Sequence, residues 1–235
     1  MRAIVLAAGR GSRLHGAQLP KPLVEVAGRP LLLRTLDSLA GGGVREVVVV
    51  LGFEAARIQA AVLEWRLPLP VRFVENPRWD ESNGLSVLAA AKAIEEGTFL
   101  TMSDHLLSSE LVNTIAEFPL APGDAVLGID RNVEGCFDLE DATKVMVREG
   151  NVAAIGKELT AFDAIDTGVF RVGPSLVEAI RSVEEERGDA SLSDGVRALS
   201  AAGRMRACDI GHAFWLDVDT PEAWQHAEEV LARAR

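Results

Sequence analysis

Short apolar runs rich in Val and Ile recur along this chain, separated by longer stretches in which apolar residues return every three or four positions. That alternation restricts the fold more than any other feature. Runs of four to eight β-branched residues bounded by turn signals make strands buried on both faces, and amphipathic helices cover those faces. The outcome is a three-layer α/β/α sandwich around a mainly parallel sheet, with right-handed crossovers. The pattern predicts strands at 3–7, 46–51, 71–75, 98–102 and 125–129, with helices at 30–39, 54–65, 84–95 and 109–117. After Asp130 the pattern changes. Residues 144–148 and 152–155 flank Glu149-Gly150-Asn151 and read as a β-hairpin, a small lobe added to the sheet. A strand at 165–172, helices at 174–187 and 191–202, a strand at 205–210 and a helix from Pro221, capped by Thr220, complete the reading.

The 235 residues suit one domain made of two parts, a nucleotide-sized half at 1–130 and a lobe with the last helix at 131–235. No window offers the ~18 uncharged apolar residues that a membrane span needs. The first residues lack the apolar core and cleavage site of a secretion signal, so a cytoplasmic location is expected. Cys136 and Cys208 read as buried thiols of a reducing compartment rather than a zinc site. A net charge of -11 argues against nucleic-acid binding. Its distribution says more: residues 1–34 hold six basic side chains and only Glu25 as an acid, which points to a small anionic ligand near the N-terminus. Of the 24 basic residues only Lys21, Lys92, Lys144 and Lys157 are lysines, and a lysine kept among so many arginines marks a place for a compact ammonium.

Leu6-Ala7-Ala8-Gly9-Arg10-Gly11-Ser12-Arg13-Leu14 follows the first strand, at the edge where open α/β sheets place ligands. Its small residues let backbone N–H groups approach phosphate oxygens, and Arg13 adds a charged fork. The spacing matches neither a dinucleotide turn, which needs a third Gly where Leu14 stands, nor a P-loop, which needs a Gly-Lys-Ser/Thr ending. With Pro20-Lys21-Pro22-Leu23-Val24 and Ala27-Gly28-Arg29-Pro30-Leu31, the segment resembles the nucleotidyltransferases that join NTPs to sugar or polyol phosphates. The resemblance implies a glycosyltransferase-A-like fold in which Leu6, Ala7, Ala8, Gly9, Gly11 and Ser12 cradle the nucleotide. It makes Arg13 and Lys21 the catalytic cations on its phosphates.

Asp104 closes the strand at 98–102 in Ser103-Asp104-His105, at the same sheet edge. By itself such an Asp reads as a turn or cap; by resemblance it is a Mg²⁺ ligand. The second ligand is expected in Trp215-Leu216-Asp217-Val218-Asp219-Thr220, where Asp217 and Asp219 share a face. Cytidylyltransferases of this kind favour Asp219, and hexose-phosphate enzymes favour Asp217. The role of His105 stays open. Asn76, Asn83, Gly84 and Ser86 stand where the choline-phosphate and inositol-phosphate branch contacts the pyrimidine. Lys144, Lys157 and Asp166, in Asp141-Ala142-Thr143-Lys144, Gly156-Lys157-Glu158 and Ile165-Asp166-Thr167-Gly168, resemble the CTP:inositol-1-phosphate cytidylyltransferases. The resemblance implies that the lysines clamp the acceptor phosphate and that Asp166 accepts bonds from ring hydroxyls. CTP and inositol 1-phosphate are then the substrates, CDP-inositol and pyrophosphate the products, and a separate membrane CDP-alcohol phosphotransferase the consumer of the product. Phosphocholine or a hexose 1-phosphate are the rival acceptors. The absence of Tyr and an aromatic content of 5% speak against a cage for choline. A non-catalytic nucleotide-binding regulator is the rival from another class.

Overall fold

A computed structural model describes residues 1–11, 13–14 and 19–233; Ser12 of the expected nucleotide cradle lies outside them. In chain order the first half contains β1 (Arg2–Ala7), β2 (Glu25–Val26), β3 (Arg29–Pro30), α1 (Leu31–Gly41), β4 (Glu46–Leu51), α2 (Ala55–Glu64) and β5 (Val71–Glu75). There follow α3 (Gly84–Ala89), β6 (Thr98–Met102), β7 (His105–Leu107), α4 (Ser109–Glu117) and β8 (Ala125–Asp130). The second half contains β9 (Lys144–Arg148), β10 (Asn151–Gly156), β11 (Ala164–Val172), α5 (Pro174–Arg187), α6 (Leu192–Ala201), β12 (Met205–Asp209), β13 (Trp215–Asp217) and α7 (Pro221–Arg233).

Among the described residues nine strands form one sheet in the order β5-β4-β1-β6-β11-β8-β12-β10-β9. The run from β5 to β6 is parallel, as the crossovers require, and so is β8 with β12. β11 is antiparallel to both β6 and β8, so the sheet as a whole is mixed rather than mainly parallel. The 144–156 hairpin is added to the sheet as its far edge, joined through β10 to β12 and through β9 to β11. Its turn is the two residues Glu149 and Gly150, both at positive φ (50° and 76°), and Asn151 already belongs to β10.

The period of two along β1 assigns its residues to opposite faces. Ile4 and Leu6 pack with Val87 of α3, Leu176 and Ile180 of α5 and Val196 of α6. Ala3, Val5 and Ala7 pack with Leu36 of α1, Ile58 of α2 and Leu111 of α4. Each such buried Ile or Leu contributes about 1.5–3 kcal/mol, which is why both faces are covered. A third, smaller cluster of Val24, Val26, Leu31, Leu106, Leu216 and Val218 seats α7 through Ala227. α3 is shorter than expected. It stops at Ala89, a tight turn over Ala91–Ala93 follows, and Ile94 leaves in extended form to bury its side chain before β6.

Candidate active site

The carboxyl end of β1 opens into the glycine loop, whose base is tied on both sides: Phe53 N–H donates to the Ala8 carbonyl at 2.9 Å and Ser103 N–H to the Leu6 carbonyl at 3.0 Å. Among the described residues nothing lies within 4 Å of where a Cβ of Gly9 would stand. Gly11, at φ +63°, has no such room, since a Cβ there would lie 2.6 Å from Lys21 Cβ. The second glycine therefore makes room for the lysine stem. Lys21 starts a tight helical turn after Pro20, and only 6% of its surface is exposed. Its ammonium donates to Asp104 Oδ2 at 2.8 Å and also to Asp219 Oδ1. Arg13, half-exposed on the loop, pairs with Asp219 and Asp141.

Two short strands bring the carboxylates together. β7 and β13 pair antiparallel with Asp217 opposite His105, and Val218 N–H donates to the Asp104 carbonyl at 3.1 Å. Both strands have only three residues, too few for a period to reveal in sequence. His105 is buried, with Nδ1 2.9 Å from Asp104 Oδ1 and 4.0 Å from Asp217 Oδ1. Burial works against charging this ring, but the Asp217 and Asp104 carboxylates outweigh it and push it up to about 9. Burial would raise Asp104, yet Lys21 and His105 hold it well below the ordinary range. Burial raises Asp217, whose Oδ1 is buried with no hydrogen-bond partner among the described residues. The β11 bulge serves the same cluster. Gly168, at φ +72°, is where a Cβ would come within 2.4 Å of the His105 ring, and its N–H donates to Asp166 Oδ1 at 2.7 Å. Burial pushes Asp166 up to about 6, against that bond.

These groups stand at the wall of a cavity of about 530 Å³ between the glycine-loop half and the β9–β10 side of the sheet. Asp104, Asp217, Asp219, Asp166, Lys157 and Asn83 all line it. Lys144 does not reach it. Only 9% of its surface is exposed, and its ammonium donates inward to the backbone carbonyls of Glu140 (3.0 Å) and Lys157 (2.8 Å). Lys157 carries the free end of the expected clamp, paired with Asp141 Oδ1 at 2.6 Å. Burial opposes the ionisation of Asp141, but Lys157 and Arg13 hold it below the usual carboxylate range.

The expected pyrimidine contacts divide in a similar way. Asn76 and Ser86 are buried against each other, the amide donating to the hydroxyl at 3.0 Å. Asn83 lines the cavity but spends its oxygen on Leu192 N–H at the start of α6, and Gly84 lets the turn lie against the Ala190 carbonyl. Cys208 is buried, whereas Cys136, expected to be buried, is half-buried on the cavity wall. Phe137, Phe214 and Trp215, three of the twelve Phe and Trp residues, line the cavity too, so a low total does not leave the site without aromatic surface. No helix among the described residues is long and apolar enough to cross a membrane.

The Asp104, His105 and Asp217 donors lie within 4.8 Å of one another, a set able to hold a metal ion. Asp104 and Asp219 also converge on one cationic group, the Lys21 ammonium. Hard carboxylate oxygens at that point fit a divalent cation that completes its shell with phosphate oxygens and water.

A family profile described as MobA-like NTP transferase domain matches residues 3–192. The chain belongs to that family. Among similar NTP transferases, a bifunctional IPC transferase and DIPP synthase from Rubrobacter xylanophilus is 39% identical over 233 residues, covering 97% of this chain and 51% of the relative. The protein of the same name from Archaeoglobus fulgidus is 34% identical, covering all of this chain and 44% of the relative. The chain thus spans about half the length of the curated relatives it matches. The solved inositol-1-phosphate CTP transferase from T. maritima superposes with a TM-score of 0.83 at 26% identity, covering 97% of this chain and 95% of that one.

Proposed function

We infer that this NTP transferase moves a cytidylyl group from CTP to the phosphate of inositol 1-phosphate, giving CDP-inositol and pyrophosphate. The observation that carries the reading is a cavity lined by Lys157, Asp104, Asp141 and Asp219 whose aspartates pair with Arg13 and Lys21 of the glycine-loop side and with Lys157 of the hairpin side. The names and coverage of the relatives support the choice of base and acceptor.

In this reading residues 1–130 hold the nucleotide and 131–235 the acceptor. The glycine loop receives the triphosphate through backbone N–H groups. Lys21 leaves its aspartates for the triphosphate, and Arg13 leaves Asp219 and Asp141 for the point where the triphosphate meets the acceptor's phosphate, so that both draw charge off the α-phosphorus. Lys157 holds the acceptor's phosphate for in-line attack, and Asp166 accepts from ring hydroxyls. The attacking oxygen is already anionic, so no protein base or nucleophile is needed, and catalysis consists of positioning and charge neutralisation. Asp104 with Asp219, or with Asp217 in its place, would hold Mg²⁺, which supplies Lewis-acid stabilisation of phosphate charge when bound. The same chemistry belongs in the cytoplasm, with a membrane phosphotransferase consuming the CDP-alcohol.

Phe137, Phe214 and Trp215 favour a second acceptor class, an alkylammonium phosphate such as phosphocholine. A pyrophosphate-release screen of CTP, UTP, dTTP, ATP and GTP against inositol 1-phosphate, phosphocholine and glucose 1-phosphate decides between them. Fastest turnover with CTP and inositol 1-phosphate is expected. A preference for another pair would replace the reading.

A further inference from the structure

Asp141, like Asp219, is a point where the two parts of the site touch. One carboxylate oxygen accepts from Lys157 Nζ at 2.6 Å and the other pairs with Arg13. Arg13 comes from the glycine loop and Lys157 from the end of the hairpin, 144 positions later in the chain. Both cations are expected to hold phosphate, yet in this structure they share one internal anion.

That anion is held in place. The Asp141 N–H donates to Asp138 Oδ1 at 3.3 Å, closing a turn. The buried ammonium of Lys144 binds the carbonyl of Glu140, immediately before Asp141, and the carbonyl of Lys157 itself. One buried lysine therefore fixes the backbone at both ends of the Asp141–Lys157 pair. Asp141 also lines the cavity, so an incoming acceptor meets it directly.

We propose that Asp141 is a specificity-determining residue. Its carboxylate occupies, as a built-in counter-anion, the place between Arg13 and Lys157 that the phosphate of the acceptor takes over. This rests on the reading of the acceptor as a phosphate monoester. A carboxylate carries one negative charge. A monoester above its second pKa of ~6 carries nearly two, with more acceptor oxygens, and displaces it. A monoanionic diester offers no more charge than Asp141 already supplies and is refused. The consequence is selectivity for dianions without any contact to the rest of the acceptor.

The test is titration calorimetry at pH 8 with inorganic phosphate, mostly dianionic, and dimethyl phosphate, a monoanion, on the whole chain and on Asp141→Asn. The variant keeps shape and removes charge. It should bind phosphate about three- to tenfold more tightly, the scale of one or two partly exposed ion pairs, and should gain measurable binding of dimethyl phosphate. The gain should vanish in Asp141→Asn combined with Lys157→Ala. In steady state the acceptor KM should fall while the KM of CTP moves less than about twofold, the smaller part of the range expected for one exposed pair. Phosphate binding that is unchanged or weaker in Asp141→Asn overturns the proposal, as does a gain that survives loss of Lys157. The calorimetry needs neither CTP nor inositol 1-phosphate. If neither protein turns over inositol 1-phosphate, the acceptor assignment fails while the phosphate titration still decides the role of Asp141.

Discussion

Replacing Lys21 with Met removes one charge, keeps most of the stem and leaves Asp104 and Asp219 facing each other across the place the ammonium held. Breaking a buried pair on one side costs about 3–5 kcal/mol when the remaining charge is sealed from water. Both carboxylates here are partly open to the cavity (24% and 19%), so a cost of about 2–3 kcal/mol is the reasoned discount. At ~2–4 °C per kcal/mol for a domain of this size, the melting temperature should fall by about 4–12 °C. Two carboxylates that have lost their shared ammonium, Asp104 keeping only His105 and Asp219 only Arg13 among the described residues, are also a divalent-cation site, so millimolar Mg²⁺ should recover more of that loss in Lys21→Met than it adds to the parent. Turnover should stay low even with Mg²⁺, down by about 10²–10³, because a positioned donor to developing phosphate charge is gone. Differential scanning fluorimetry with and without Mg²⁺, beside a pyrophosphate-release assay, reads both quantities. A variant that melts within 2 °C of the parent, on the ~2–4 °C per kcal/mol scale, or whose melting is indifferent to Mg²⁺, would refute the electrostatic argument.

Asp104→Ala should fold normally and lose at least about a hundredfold in kcat, while Asp219→Ala should lose more than Asp217→Ala; the reverse order would move the second metal ligand to Asp217. Lys157→Ala should raise the acceptor KM about tenfold with little change for CTP, an effect of about 1.4 kcal/mol. Lys144→Met should instead show first as a loss of thermal stability, since it deprives two carbonyls of their donor, and an unaltered melting curve would put its ammonium elsewhere. Gly168→Ala should cost about 2–4 kcal/mol in a urea melt, combining a left-handed backbone with a Cβ driven into the His105 ring; a loss under ~0.5 kcal/mol, the scale of an ordinary surface change, would contradict that packing. At the start of α6, burial favours the neutral form of Asp194, but Ser191 and Arg197 hold it down to about 2. A carboxyl with a lowered folded pKa contributes its stability above the unfolded value near ~4 and loses it as pH falls toward the folded one. Asp194→Ala should therefore cost about 1 kcal/mol at pH 7 and progressively less from pH 4 toward 2, and a pH-independent difference in urea melts would disprove the linkage.

The features legible in the sequence are those that a few neighbouring residues decide. The continuous apolar run at 47–51 after Glu46 predicts β4 to the residue, because burial on both faces needs an apolar side chain at each step, and the apolar Val71, Phe73 and Val74 after Pro70 predict β5, an edge strand that leaves Arg72 and Glu75 exposed. Ser191 with Asp194 makes a capping box that sets the start of α6 locally. Gly11 and Lys21 are visible as a motif, though not the reason the glycine is there, which is the lysine stem packed against it. Only tertiary structure decides where a polar side chain finds its partner. Lys21 meets Asp219 across 198 positions and Arg13 meets Asp141 across 128, separations over which no period or propensity carries information. For the same reason Lys144 turns inward to two carbonyls while Lys157 reaches the cavity, and Asn76 closes on Ser86 rather than on a base. Hydrophobic burial follows a short-range pattern, but a buried charge or amide is satisfied by whichever group the folded chain brings within about 3 Å.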